Sequence, residues 1–277
     1  MTPNQSRLPH RITNRPKLIR SGEIAYFSDR KKFINRDELA MILRLLTQRQ
    51  LFGHVYGGLD PDYFDKIPNN SGVFVLPVLP THVLMPGIHQ PGDIDILVIP
   101  YEEEVLILEK SLAIEVKIVR ATYKKQGKSP NEFGFTQVLQ AIKLGFPYVA
   151  VVHIIVSDRS PRDVWREISI FQVVDTHGRV EPRPSQYVDL MPRDLIDRSF
   201  GRLERACPDA RIGIASTYIE TESDSRTGFI IDNNGIWVPR FRKCTTNSNK
   251  SEFLLNRIGM LFDKYANYFL DNPRYDP

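Results

Sequence analysis

Two short segments place acids inside apolar strands. In GDIDILVIP, Asp93 and Asp95 stand two positions apart, and in LAIEVKIV so do Glu115 and Lys117. Side chains alternate along an extended strand, so Asp93 and Asp95 share one face. Glu115 and Lys117 share a face likewise, with Ile114, Val116 and Ile118 pointing the other way. A buried carboxylate is costly unless a cation or a strong hydrogen-bond network meets it. If the two strands are neighbours, their acids converge on one spot beside an ammonium. Carboxylates gathered so closely repel each other unless a divalent cation lies between them, and an all-oxygen donor set suits Mg²⁺ or Mn²⁺. The chemistry this would serve is attack on an anion such as a phosphodiester. A held metal polarises the phosphoryl oxygen and lowers the pKa of a bound water. A lysine on the same face orients that water or stabilises charge in the transition state. Either dyad alone is also what an ordinary cross-strand salt bridge looks like. An acid, an interval of about twenty residues and then Glu-x-Lys, followed by an amphipathic helix and a strand, is much rarer.

The elements that must position these residues are legible in outline. Leu39, Ile42, Leu43 and Leu46 recur at helical spacing, which predicts a helix over about 37–50, with Asn35 or Asp37 as cap. Gly53, Gly57 and Gly58 then read as a loop. GVFVLPVLP (72–80) reads as a strand that its prolines shorten or confine to an edge. DIDILVIPY follows as a strand, and VLILEKSLAIEVKIV as one long strand or a hairpin turning near Lys110–Ser111. Phe135, Val138, Leu139 and Ile142 mark a second helix that stops at Gly145. YVAVVHIIV is apolar on both faces, as central parallel strands are. Further on, ISIFQVV, IGIAST and GFIID read as strands, and 192–206 and 250–269 as amphipathic helices. EPRPSQY (181–187) is the best candidate for a linker. The expectation is an α/β fold: a mixed central sheet flanked by helices, with additional C-terminal α/β elements. Its parts are a basic arm and lead-in (1–36), a core (37–180) and a C-terminal extension (181–277).

Asp93-Ile94-Asp95-Ile96-Leu97, Glu115-Val116-Lys117 and the helix–strand unit 133–156 together resemble the PD-(D/E)xK, or restriction-endonuclease-like, nuclease superfamily. The resemblance covers roughly residues 37–156. It implies a restriction-endonuclease-like core, with Glu115 as a metal ligand and Lys117 as the catalytic lysine acting on the attacking water. Members that read Gly-Glu-Ile-Asp use the second acid of the pair, which favours Asp95 as the first ligand and leaves Asp93 as a supporting or second-metal ligand. An acid from the first helix often joins the site, and Glu38 lies where it would be. Gln137 fits the glutamine that some branches carry on the following helix. Ala141 and Leu144 stand where those branches have a tyrosine, a departure from the exonuclease-type pattern. The implied activity is Mg²⁺- or Mn²⁺-dependent hydrolysis of nucleic acid, DNA by default, in restriction, repair or defence against foreign DNA. Double-strand cleavage would favour a homodimer, and an activating protein partner fits the same picture.

Composition is compatible with this. The 277 residues are 42% hydrophobic and 25% charged, which is globular and excludes collagen-like or mucin-like chains. Lys plus Arg exceed Asp plus Glu by 37 − 33 = 4, a mild bias towards anionic partners. Residues 1–20 hold Arg7, Arg11, Arg15, Lys17 and Arg20 with no acid, and so read as a solvated tail or as an arm that touches phosphates. Arg120, Lys124, Lys125 and Lys128, with Tyr123 interleaved, are the candidate nucleic-acid contacts beside the Glu-x-Lys strand. Arg240, Arg242 and Lys243 beside Trp237 and Phe241 have the same character. His82 and His89 bracket the loop before Asp93, His54 and His153 read as loop and core residues, and His177 as part of a turn. Cys207 and Cys244 cannot build a disulfide framework or a four-cysteine zinc site, which points to a cytoplasmic setting. No apolar run reaches the length of a membrane helix. Two rival functions remain. A nucleotidyltransferase also uses Asp-x-Asp, but PTHVLMPGIHQP lacks that family's Gly-Ser turn and Glu115-x-Lys117 would go unexplained. A non-catalytic nucleic-acid-binding or assembly subunit would retain the fold without turnover.

Overall fold

The computed structural model describes residues 9–18, 37–59, 70–87, 92–127, 130, 132–220 and 238–274. In chain order the elements are β1 (His10–Arg11), β2 (Lys17–Leu18), α1 (Asp37–Thr47), α2 (Arg49–Leu59), β3 (Ser71–Pro80), the single turn α3 (Thr81–Leu84), β4 (Asp93–Glu102) and β5 (Val105–Leu106). A 3₁₀ turn at Leu108–Lys110 leads into β6 (Leu112–Ala121), α4 (Phe135–Leu144), β7 (Tyr148–Ser157), β8 (Arg166–Val173) and β9 (Val180–Val188). The chain closes with α5 (Met191–Ala206), β10 (Gly213–Glu220), β11 (Arg240–Arg242), α6 (Glu252–Tyr265) and β12 (Leu270–Pro273).

One mixed sheet organises the fold, in the order β11-β10-β7-β6-β4-β3-β12-β2, with β5 joining β1 to β4. β4 runs antiparallel to both of its neighbours, β3 and β6, whereas β6, β7 and β10 are parallel. Alternation along the strands divides the core into two layers. Leu97, Ile99, Ala113, Val149 and Val151 face α4 and α6. Ile96, Val98, Ile114, Val116, Val152 and Ile154 face α1 and α2. Fully burying such a side chain contributes about 1.5–3 kcal/mol, so register is strongly fixed: a one-residue slip would exchange the layers. The strands and helix of the C-terminal part (β10–β12, α6) belong to the same sheet and core.

The α/β expectation holds, and several local expectations are corrected. The glycine loop after the first helix is instead α2. Phe52, Val55, Tyr56 and Leu59 are buried at helical spacing, and that burial outweighs about 1 kcal/mol of helix propensity lost per glycine. Gly58 is also required, since a Cβ there would run into the Phe241 ring. β3 is an interior strand, but only in part. β12 pairs with Gly72–Val75 alone, so among the described residues the half that carries Pro77 and Pro80 has one neighbour, and a missing N–H costs nothing on the open side. The long strand before Lys117 is broken into β5, the 3₁₀ turn and β6. The linker expected at 181–187 is strand β9, paired with β8 in a two-stranded ribbon where Pro182 sits opposite Phe171. α4, β7, α5 and α6 lie where the periodicity placed them, and Gly145 ends α4 in the left-handed conformation (φ +94°). GFIID lies outside the described residues, as do Arg7, Arg20, Asn35, His89, Lys128 and Trp237. The arm is docked rather than free over residues 10–18. Arg15 donates to the buried Asp271 at 2.9 Å and lies over the Tyr101 ring, so its charge is used inside the fold. Among the described residues no helix is long and apolar enough to cross a membrane.

Candidate functional site

β4 and β6 pair as far as Ile96 opposite Ile114. One step further, Asp95 comes opposite Glu115, and the regular ladder stops. The Val116 N–H donates instead to Asp95 Oδ2 at 2.7 Å, so a side chain takes the place of a backbone acceptor. On the other side of β4 the Val78–Asp95 pair is also missing from an otherwise continuous register. Val78 there has φ +52°, a strained value for a β-branched residue. Asp95 therefore sits where both neighbouring strands release β4, and this opening is what gives its carboxylate room.

Glu115 is buried, and Lys117 Nζ donates to its Oε1 at 2.6 Å. The same ammonium stands 3.8 Å from Glu38 Oε1, at the start of α1. Burial drives the Asp95 carboxyl well above the ordinary carboxylate range, and the facing Glu115 raises it further. Burial also raises Glu115, against the lowering effect of Lys117. For Lys117 burial works downwards, but Glu115, Glu38 and Asp95 outweigh it and leave the ammonium above its usual value. Two crowded, desolvated carboxylates held beside one cation are a place where further positive charge is favoured.

The wall over these side chains is the segment before α4. Gly134 caps α4 in the left-handed conformation (φ +87°). A Cβ there would stand 2.8 Å from Glu115 Cγ and 3.6 Å from Lys117 Cγ. The adjacent Phe133 carbonyl is 3.4 Å from His153 Nε2, and the two rings stack at 6.0 Å with a 4° interplanar angle. His153 is the strand partner of Lys117. Its Nδ1 lies 3.1 Å from Ser199 Oγ on α5, and burial lowers its pKa to about 4. This histidine is a neutral post holding the wall, as its core reading anticipated. Its partner Ser199 and the wall residue Gly134 carried no signal in the sequence, because their roles depend on elements that meet only in the fold.

Beside the acids, a hollow between β4 and α4 is lined by Thr81, Gly92, Asp93, Glu115, Gln137 and Gln140. The buried Oε1 of Gln137 has no hydrogen-bond partner. The structure thus brings Asp95, Glu115, Lys117 and Glu38 together, with Asp93 and Gln137 on the adjoining hollow. Arg120, Lys124 and Lys125 are exposed on the continuation of β6 and its turn. Tyr123, offered as a base-stacking residue, is half-buried against Val119, Ile155 and their neighbours, with its N–H bonded to Asp158. The 240–243 cluster is tied down: Arg240 pairs with Asp197 at 2.6 Å, and Arg242 donates to Cys207 Sγ and the Ile212 carbonyl. His54 and His82 are exposed, His54 on a helix rather than in a loop.

Among the described residues no three His, Cys, Asp or Glu side chains form a group disposed to hold an ion by themselves. Mg²⁺ commonly takes only one or two carboxylates, filling its other positions with water and substrate phosphate. The Asp95–Glu115 pair, all oxygen and short of positive charge, fits that demand. Comparison with known protein families, with curated proteins and with solved structures finds no match to this chain.

Proposed function

We propose that the chain is a metal-dependent nuclease of the restriction-endonuclease-like type, hydrolysing phosphodiester bonds, with DNA the favoured substrate. The observation that carries the reading is Asp95 facing Glu115 at the opening between β4 and β6, with Lys117 on the same face at 2.6 Å from Glu115. The order helix, strands, helix, strand around those residues supports the family resemblance drawn from the sequence.

In this reading Asp95 and Glu115 hold Mg²⁺ or Mn²⁺, with Glu38 and Asp93 as outlying acids. The ion, when bound, supplies Lewis-acid polarisation of the phosphoryl oxygen and acidifies a bound water. Lys117 keeps its proton, because three acids surround it, and so acts as a fixed positive charge that orients the attacking water and stabilises the extra charge on the phosphoryl oxygens. The Val116 N–H fixes the Asp95 carboxylate. The Gly134 wall excludes water from the inner side of Glu115. Gln137, with a buried unpaired oxygen, has an acceptor to offer a donor entering the hollow.

The test is cleavage of duplex DNA with Mg²⁺ or Mn²⁺ and with chelator. Lys117→Ala and Asp95→Asn are expected to abolish cleavage while DNA binding persists, and Asp93→Asn to weaken it. Intact DNA and RNA with the unmodified chain in both metals would overturn the reading in favour of a binding subunit.

A further inference from the structure

Among the described residues nine large apolar side chains are exposed, and five of them, Val164, Phe171, Val173, Val180 and Tyr187, lie on or beside the β8–β9 ribbon. Paired residues of two strands share a face, and faces alternate along each strand. Val173 is paired with Val180, Phe171 with Pro182 and Glu167 with Tyr187, all at even spacing along β8. The register irregularity falls on β9, where three steps from Arg183 to Gln186 answer two from Ile170 to Ile168. Tyr187 therefore stays on the Phe171 face. Phe171, Val173, Val180 and Tyr187 are 61%, 62%, 53% and 64% exposed. Glu167, at the root end of this face, is bonded by the Ser185 hydroxyl. The opposite face holds the half-buried Ile168 and Ile170, and there Arg183 Nε donates to Gln172 Oε1 at 2.7 Å. The ribbon is fixed at its root. Asp189 accepts from the Ser160 N–H at 2.8 Å and from the Met191 N–H at 3.0 Å, which ties the chain before β8 to the start of α5. Trp165 Nε1 donates to the Ser160 carbonyl at 2.9 Å in the same corner.

A two-stranded ribbon is marginal in water by itself, and a further layer over its apolar face is what stabilises it. β8 and β9 pair with no third strand among the described residues, and none of those residues covers the Phe171 face. Charge decides what can. Residues 166–188 hold Arg166, Arg179 and Arg183 against Glu167, Asp175 and Glu181, with no lysine, so the net is 3 − 3 = 0. Arg179 is moreover paired with Glu181 at 3.2 Å. A nucleic-acid backbone calls for surplus cations, and this strip has no surplus. A strongly charged protein partner of either sign gains nothing from a neutral apolar face. What matches it is a second neutral apolar face of the same size, and another copy of the chain supplies one. Turned about a two-fold axis, two ribbons lie root to tip, which keeps the two Glu167 carboxylates at opposite ends. Strand addition at an edge would leave Phe171 and Tyr187 in water, and on β9 Pro182 and Pro184 have no N–H to give an added strand. Packing face to face, at the spacing of about 10 Å between stacked sheets, buries them.

We propose that the face of the β8–β9 ribbon formed by Phe171, Val173, Val180 and Tyr187 is a homodimer contact, packed on the same face of a second copy about a two-fold axis. The contact draws on about eight residues a side, against roughly 20–30 in a standard interface, which makes the dimer reversible with a Kd on the order of 10 µM. The experiment is analytical ultracentrifugation of the full chain from about 1 to 300 µM, a range that brackets this Kd. It is run in chelator and without DNA, so its outcome is independent of the nuclease reading. The mean mass is expected to rise from one chain to two across the series. Phe171→Lys and Val173→Lys each set like charges against the partner's apolar face and should raise the Kd at least about tenfold. Phe171→Ser removes apolar surface without adding charge and should weaken the dimer in the same direction. All three positions of change are exposed, so the urea midpoint of the folded chain should stay in place at low concentration. Phe253→Lys, equally exposed at 63% but on α6, should leave the Kd unchanged. A chain that stays monomeric throughout overturns the second copy and leaves the face to a different protein. A dimer with the same Kd in Phe171→Lys and Val173→Lys overturns the ribbon as its seat, and growth past two copies overturns the closed pair.

Discussion

Gly134→Ala isolates the wall of the candidate site in one methyl group. Two penalties follow from the structure. The residue has φ +87°, and holding an L-residue in the left-handed region costs about 1–2 kcal/mol. The new Cβ would also lie 2.8 Å from Glu115 Cγ, closer than carbon atoms pack at their optimum of about 3.5–4.0 Å. Glu115 cannot swing away, because it is buried, bound to Lys117 and fixed on a central strand. It must therefore shift by several tenths of an ångström, and misplacement on the order of 1 Å can cost about 10²-fold in rate. The expected result is a loss of about 1–2 kcal/mol in urea unfolding, and a fall in single-turnover DNA cleavage of at least about tenfold. Gly178→Ala is the control. It has φ +80° at the ribbon tip with nothing near its Cβ, so it should show the backbone penalty and native cleavage. If Gly134→Ala cleaves as fast as the unmodified chain, the wall does not position Glu115.

Four further outcomes are expected. Asp95→Asn in chelator should raise stability by about 1 kcal/mol, since the amide oxygen still accepts from Val116 while a crowded, desolvated charge is removed. Millimolar Mg²⁺ should raise the Tm of the unmodified chain and not of Asp95→Asn; equal shifts would place the ion elsewhere. The lowered pKa of His153, about 4 in the fold, means that between pH 6.5 and 4 the unfolded chain binds its proton and the folded chain does not. Its contribution is intact above pH 6.5 and is lost on acidification by an amount on the order of 3 kcal/mol. His153→Gln should flatten the fall in urea-unfolding stability from pH 7 to 4.5, and a parallel fall in both chains would refute this. Arg15→Ala takes the bonded cation from the buried Asp271, which keeps the Tyr101 hydroxyl at 2.8 Å. With the guanidinium 42% exposed, the cost should be about 2 kcal/mol, short of the 3–5 kcal/mol for a fully buried pair, read by chemical denaturation.

The sequence carried the sheet and the meeting of acids and lysine within it because both rest on period-two alternation. Asp95, Glu115 and Lys117 stand out as polar intrusions in apolar strands, and alternation alone places them on one face. It failed where tertiary contact overrides local preference. Gly53, Gly57 and Gly58 carry a loop signature, yet α2 forms because Phe52, Val55 and Tyr56 have a sheet face to cover. Pro182 and Pro184 carry a linker signature, yet β9 forms because a two-stranded ribbon leaves one edge of each strand unpaired. Arg198 and Arg202 are unremarkable on an amphipathic helix, and their hold on the turn at Gln126–Gly127 appears only in the fold.

The opening at Asp95 shows how the fold accommodates acids that folding alone would reject. Ile96, Val98, Ile114 and Val116 hold β4 and β6 in register through the layer against α1 and α2, while the acids point into the opposite layer. The register is therefore secured by residues outside the candidate site, one face away. Beyond Ile96 the apolar layer no longer clamps the pair, Val78 takes up the strain, and a carboxylate occupies the vacated backbone position. An apolar substitution at Asp95 would be expected to extend the ladder and close the gap between the strands. The acid is thus both a candidate ligand and the wedge that keeps its own site open, so an apolar residue there would remove the ligand and the access together, whereas Asp95→Asn would remove the charge alone.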